Sequence, residues 1–365
     1  MSDVALVTRR SRRRTSTWLA GAALVALAFV PAERLLSAYD HGLLAYDFRQ
    51  TFLPAAEALV DGNSPYPEYG YPPLVAFLSV PFALVPGAEF IVTGLLIACV
   101  PLSLWLFSVR DWRCYVVALL WISVFNAVQT ANVTLPLLVC AAACWRWRDR
   151  RFAASAAGGL AVAAKLLAWP LAVWLAATGR ARTAVGLFLV ALAVTFGLWA
   201  TIGFSGLVSY PDSLERLQGA QGDRGYTFQA LVSDLGLAEG VGMALGLVVL
   251  AAVLTAVVVH GRRGDDTRSF AWAMVATVVG SPVIWLHSFA LLLAPVAVLK
   301  PRLTWVWFVP ALLWFVSPGT GNGAPWQTAV TVLAAAAVVV GALARPERTS
   351  RVSQLRRPTA TNGVA

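Results

Sequence analysis

Apolar runs separated by short polar joints fill the chain from about residue 17 to residue 344. Runs at Thr17–Ser37, Glu89–Val109, Cys114–Val128 and up to Trp145 each predict a helix crossing a bilayer. The same pattern predicts crossings at Thr183–Ile202, Val241–His260, Ser269–Trp285, His287–Leu299, Leu303–Ser317 and Ala324–Ala344. Leu74–Val85 is apolar but short and bounded by proline, which predicts an interfacial or re-entrant helix. Phe152–Thr178 is long and carries Lys165 near its middle, with Pro170 beyond it. One span there would hold an ammonium at bilayer depth, at a cost of roughly 2.5–3.5 kcal/mol or more. Two short helices meeting at Lys165 avoid that cost, and they bring the predicted total to about twelve spans.

The polar island Tyr46–Pro73 interrupts this pattern. Phe48, Phe52, Ala55/Ala56 and Leu59 recur at helical spacing, predicting an amphipathic helix over 48–60 that lies at a bilayer surface. Asp47 stands just before it and Asp61-Gly62 closes it. Residues 63–73 hold four Pro and three Tyr, the composition of a stiff, extended turn. A second polar stretch, 203–240, carries Tyr210-Pro211-Asp212 and Gln218 to Tyr226; its Gly, Gln, Asp and aromatic residues suit sugar hydroxyls, and equally suit a solvated loop.

Charge orders these elements. Only 13% of the 365 residues are charged and 59% are hydrophobic, and the mean hydropathy is +0.71. That describes an all-α polytopic membrane protein, since soluble domains average about 25% charged residues. With twelve spans, 23 of the 28 Lys and Arg fall on one side, leaving Arg34, Arg49, Lys165, Arg216 and Arg224 on the other. The positive-inside rule makes the basic side cytoplasmic, with both termini there. Residues 1–16 and 345–365 are then basic cytoplasmic tails flanking a membrane domain at 17–344, and 38–73 and 203–240 are its first and second outer loops. Arg9–Arg14 before an apolar run has the outline of an export signal, but many spans follow, which favours a retained first span. The net charge of +10 reflects these basic joints and implies no nucleic-acid partner. Cys99, Cys114, Cys140 and Cys144 lie in or near apolar runs without CxxC spacing and are expected as free thiols.

The predicted topology collects polar side chains on the outer face: Asp47, Arg49, Asn126, Gln129, Asn132, Lys165 and His287. Asp47 fits a helix N-cap and also a general base. Lys165 fits a snorkelling cation or an anion partner, and its isolation among Ala and Leu favours the latter. His287 fits a hydrogen-bonded interfacial histidine or a ligand contact. Three histidines without HxxxH or HxxE spacing give no zinc site, and no metal is implied. Without a P-loop or GxGxxG there is no foothold for nucleotide cofactors.

A longer constellation carries more. Asp47-Phe48 precedes the amphipathic helix, followed by Asp61-Gly62-Asn63-Ser64-Pro65-Tyr66, Tyr71-Pro72-Pro73-Leu74 and Pro81 to Pro86. Then come Gln129 to Asn132, Ala164-Lys165-Leu166 with Pro170, and Ser281-Pro282 with Trp285 and His287. The combination resembles glycosyltransferase family 87, the polyprenyl-phosphate-mannose-dependent α-mannosyltransferases of actinobacteria. The resemblance implies a GT-C fold with a catalytic first outer loop and a lipid-phosphate sugar donor. It makes Asp47 the base. It sets Lys165 and His287, with Arg49 and Arg224, at the donor phosphate or sugar. Gln129, Asn132, Tyr66 and Tyr71 would contact acceptor or sugar. The implied partners are a polyprenyl phosphate sugar, a lipid-linked glycan such as a phosphatidylinositol mannoside or lipomannan, and the plasma-membrane bilayer, with the site on its extracytoplasmic face. Relatives in the same family permit arabinofuranose in place of mannose. A non-catalytic lipid or sugar transporter would show mid-span polar residues and inverted repeats, and apart from Lys165 the chain shows neither.

Overall fold

In the computed structural model, residues 29–221, 225–281, 283–316 and 323–344 are described, and every regular element among them is helical. The first crossing is described only from residue 29, where a helix, α1, runs to residue 40. Both tails lie outside the described residues.

The expected amphipathic helix is α2, Phe48–Val60. Its first turn, Phe48–Phe52, is π-wound before regular α-helix resumes, and Gly62 beyond it takes the left-handed backbone (φ 74°) that glycine adopts without cost. Its apolar face does not rest on lipid. Phe48 meets Phe82 edge-on at 6.3 Å, Phe52 meets Tyr71 at 5.1 Å, and both phenylalanines are buried. Helix α3, Pro73–Ala83, therefore covers the stripe that the pattern assigned to a membrane surface.

Of the roughly twelve spans expected, two of them half-length, the described residues supply four or five that are long enough for a full crossing. Among the described residues, four helices are long and apolar enough to cross a membrane: α4 (Ala88–Leu106), α10 (Ala181–Thr201), α13 (Glu239–Arg262) and α17 (Pro325–Leu343). A fifth span is formed if α5 (Trp112–Leu119) and α6 (Ile122–Thr130), bent by 62°, count as one. Helices α7 (Thr134–Arg146), α8 (Arg151–Ala164) and α9 (Pro170–Ala177) are shorter than a bilayer is thick. So is α14 (Asp266–Val279), which stops short of Trp285. The segments Leu286–Leu299 and Trp305–Phe315 mix 3-10 and α turns. The second polar stretch, 203–240, is not a bare loop, because it contains α11 (Tyr210–Gln221) and α12 (Phe228–Asp234).

Burial explains the short helices. Leu135, Leu138, Ala142 and Cys144 of α7 and Ala154, Ala161 and Ala163 of α8 are fully buried. Only 17–33% of the most apolar window of each long helix is buried. Irregular backbone is tolerated at membrane depth where protein, rather than lipid, surrounds it. Small residues let the central helices approach closely: a Cβ on Gly159 of α8 would stand 2.6 Å from Val190 Cβ of α10.

Contacts also sort the loops into two ends. Arg146 donates to Ser108, the Leu303 amide to Asp111, and the Lys300 ammonium to the Ala344 carbonyl. Asp266 accepts from Arg148 at 2.9 Å, Arg180 at 3.1 Å and Trp174 at 2.7 Å, while Arg180 also meets Asp149 at 2.8 Å. These are the joints that the charge pattern assigned to the basic side. Asp47, Asn132, Lys165 and His287 gather at the opposite end. The four cysteines are free thiols, as expected.

Gly159→Ala is expected to destabilise the bundle by about 1–3 kcal/mol through overpacking, whereas Gly94→Ala, whose Cβ would meet nothing within 4 Å, leaves stability unchanged or raised. Unfolding midpoints of the two variants in detergent check this.

Candidate active site

Two alanines in left-handed conformation shape the site. Ala45 (φ 55°) turns the chain just before Asp47, and its N–H donates to the Gln129 carbonyl at 2.6 Å. Ala131 (φ 55°) ends α6 and folds the chain back, so that the Asn132 amide reaches the Ala127 carbonyl at 3.0 Å. Such backbone costs a non-glycine residue of order 1–3 kcal/mol and persists only where its surroundings enforce it. Both alanines are buried.

Together they set Asp47 against Asn132, 85 residues later. Asn132 Nδ2 donates to Asp47 Oδ2 at 2.6 Å. The amide cannot be reversed without loss, because Asn132 Oδ1 already accepts from the Thr134 amide at 3.1 Å and its hydroxyl at 2.7 Å. Asp47 is thus no helix cap: its own backbone is helical and its carboxylate makes no cap bond. Burial pushes its pKa above the ordinary carboxylate range, opposed in turn by the Asn132 bond and the nearby Lys165 charge. The Thr130 hydroxyl also neighbours the carboxylate, although it donates to the Asn126 carbonyl at 2.9 Å.

Lys165 occupies the expected break. α8 ends at Ala164, Lys165 is extended (φ −155°, ψ 117°), a 3-10 turn spans Leu166–Ala168, and Pro170 opens α9. Its ammonium lies over the Tyr71 ring, 5.6 Å from the centroid, within cation–π range. It is near enough to both Asp47 and His287 to act on their charges, yet no carboxylate lies within 4.0 Å of it among the described residues. His287 is 4% exposed, and its Nε2 is buried with no hydrogen-bond partner among the described residues. An ammonium without a counter-ion beside an orphaned imidazole nitrogen is an arrangement that a bound anion with acceptor oxygens completes.

The remaining candidates divide. Tyr71 neighbours both Lys165 and Asp47. Gln129 contributes its backbone carbonyl to the Ala45 turn, and its side chain is half-buried. Tyr66 stacks on Trp199 at 5.4 Å and spends its hydroxyl on the Tyr71 carbonyl, so it holds the loop together. Arg49 is exposed and reaches the Gly42 carbonyl at 3.3 Å, outside the group. Arg224 lies outside the described residues. Among the described residues no group of three His, Cys, Asp or Glu side chains could hold a metal ion. Sequence reasoning missed Thr134, which fixes the Asn132 amide; the Asn-x-Thr spacing, typical of a side-chain turn, was the available signal. It also missed Ser213 of α11, which docks on the Pro67 carbonyl at 3.1 Å, while Tyr210, read as a residue suited to sugar hydroxyls, instead meets the Gly70 carbonyl at 3.4 Å.

These features define a polytopic, all-helical membrane protein with a buried carboxylate and a buried ammonium held apart at one end of its bundle. The model of glycosyltransferase family 87 matches residues 69–288, and the chain belongs to that family of glycosyltransferases. No curated protein and no solved structure matches the chain. Asn132, Lys165 and His287 fall inside the matched stretch, whereas Asp47 precedes it and is placed beside them by geometry alone.

Asn132→Ala removes a bond that favours ionised Asp47. The acidic limb of the pH profile for sugar transfer is expected to move to higher pH, with the alkaline side unchanged; initial rates measured across pH check this.

Proposed function

We propose that this family-87 enzyme transfers a sugar, mannose in the first instance, from a polyprenyl phosphate to a lipid-linked glycan, on the extracytoplasmic face of the plasma membrane. The observation that carries the reading is the pairing of a positioned carboxylate with an ammonium that has no counter-ion. A single displacement at an anomeric carbon bearing phosphate needs one base and one site for the departing anion. Asp47 takes the proton of the acceptor hydroxyl as its oxygen bonds to the anomeric carbon. The bond from that carbon to the phosphate oxygen breaks, and polyprenyl phosphate leaves with the electron pair. Lys165 and the His287 imidazole meet the charge that develops there. No general acid is required, because a phosphate leaves unprotonated, unlike the paired-carboxylate scheme of glycoside hydrolysis. A β-linked donor yields an α-linked product.

Burial contributes to the chemistry of Asp47. A base whose pKa is raised, yet remains below the working pH, is ionised and more basic than a solvated carboxylate. The sign of the pH dependence follows. Activity is present above the raised pKa and is lost as pH falls through it, at higher pH than for an exposed aspartate. The topology reading is supported by the basic character of the opposite end, where Arg146, Arg148, Arg150, Arg151, Arg180 and Arg182 lie.

Asp47→Asn is expected to lower kcat by about 10²–10⁴-fold with little change in KM, the usual worth of a general base. Lys165→Met is expected to weaken donor binding as well as turnover. Purified protein given labelled polyprenyl-phosphate mannose and a glycolipid acceptor checks both. Near-normal transfer by Asp47→Asn sinks the base assignment, and transfer from the arabinose donor alone sinks mannose.

A further inference from the structure

A cavity of about 340 Å³ opens at the basic end of the bundle, remote from Asp47 and Lys165. Its polar wall is formed by Ser108, Arg146 and Arg148, and its apolar wall includes Phe107, Trp145 and Val298. The volume lies within the range of small-molecule pockets and greatly exceeds the roughly 30 Å³ that a water occupies in the liquid.

The two guanidiniums are held in place without being neutralised equally. Arg148 stacks over Trp145, 4.2 Å from the ring centroid, donates Nε to Asp266 and gives one further N–H to the Trp145 carbonyl at 2.9 Å. Arg146 donates to Ser108 Oγ at 2.9 Å and has no carboxylate within 4.0 Å among the described residues. Asp266 is shared with Arg180, so it does not cancel Arg148 alone. Fixed guanidinium forks with N–H groups to spare match phosphate oxygens. Close by on the last turns of α4, Leu102 and Trp105 are 44% and 63% exposed, on a helix that is mostly unburied. An acyl chain running along them would leave its headgroup at the level of the arginines.

We propose that this cavity binds the phosphate headgroup of an anionic phospholipid from the leaflet on the basic side of the protein. Arg146 is its principal contact and Arg148 its second, while Phe107 and Val298 cover the glycerol region. Basic pockets between membrane helices take such headgroups, and anionic lipids concentrate in the cytoplasmic leaflet. The site is a second lipid-phosphate site, structural rather than catalytic, at the opposite end from the transfer reaction, and it does not depend on what that reaction is.

The test is a thermal titration of the full chain in neutral detergent with dihexanoyl-phosphatidylglycerol, dihexanoyl-phosphatidylcholine and inorganic phosphate as separate probes. The glycerol lipid is expected to raise the unfolding midpoint saturably, the choline lipid to leave it unchanged, and inorganic phosphate to act only at much higher concentration. Arg146→Gln is expected to weaken the glycerol lipid about tenfold. Val298→Trp, which adds bulk to the cavity lining, is expected to abolish the saturable shift, and it carries the test if Arg146→Gln does not fold. Equal responses to both lipids, or unaltered binding in a folded variant, overturn the site. Inorganic phosphate matching the glycerol lipid, with the same loss in Arg146→Gln, overturns the lipid as its occupant.

Discussion

The break at Lys165 is the constraint on which the rest of the structure depends. A helix can stop at membrane depth only if its freed backbone groups and any charge it exposes are enclosed by protein. The long, lipid-facing helices α4, α10, α13 and α17 provide that enclosure, and α7 and α8 sit inside it with their faces buried. Glycines at the contact of α8 and α10 draw the layers together. Enclosure then permits what lipid would forbid: an extended lysine between two half-length helices, its ammonium over a tyrosine ring.

The two ends of the bundle treat charge in opposite ways. At the basic end, Asp266, Arg148, Arg180 and Asp149 close to 2.8–3.1 Å, and tryptophan and backbone donors complete the network. Removing one partner from such a partly buried network leaves the others uncompensated, so its role is to lock three loops together. At the other end, carboxylate and ammonium lie close enough to influence one another and yet do not pair within 4.0 Å. Asn132, pinned by Thr134, takes the place on Asp47 that a cation would otherwise occupy. A closed ion pair there would be a structural lock and would leave nothing for an incoming anion to bind.

Two of the four left-handed non-glycine residues and one of the buried polar atoms without a partner among the described residues belong to this same end. Ala45 and Ala131 hold left-handed backbone there, and the buried His287 Nε2 has no partner among the described residues. Proteins tolerate such features where a ligand completes them, and the family membership of the chain supplies the class of ligand: the substrates of a sugar transfer.

Much of this was legible in the linear pattern. Hydropathy located α4, α10, α13 and α17 to within a few residues. The lone Lys165 with Pro170 beyond it located the break, because the cost of an ammonium in lipid is a local property of the sequence. The alternation of basic joints grouped loops that hydrogen bonds bring together at one end of the bundle. Motif order carried the family. Other features were decided only by the tertiary structure. That most crossings are short, that α2 buries its apolar stripe under α3, and that Arg49 points away all depend on which surfaces other helices cover. Asp47 reads as a cap until Asn132, 85 residues away, is brought to 2.6 Å from it. Local chemistry sets where a helix ends and which side chain is costly to bury; which partner relieves that cost is a matter of distance, and distance exists only in the folded chain.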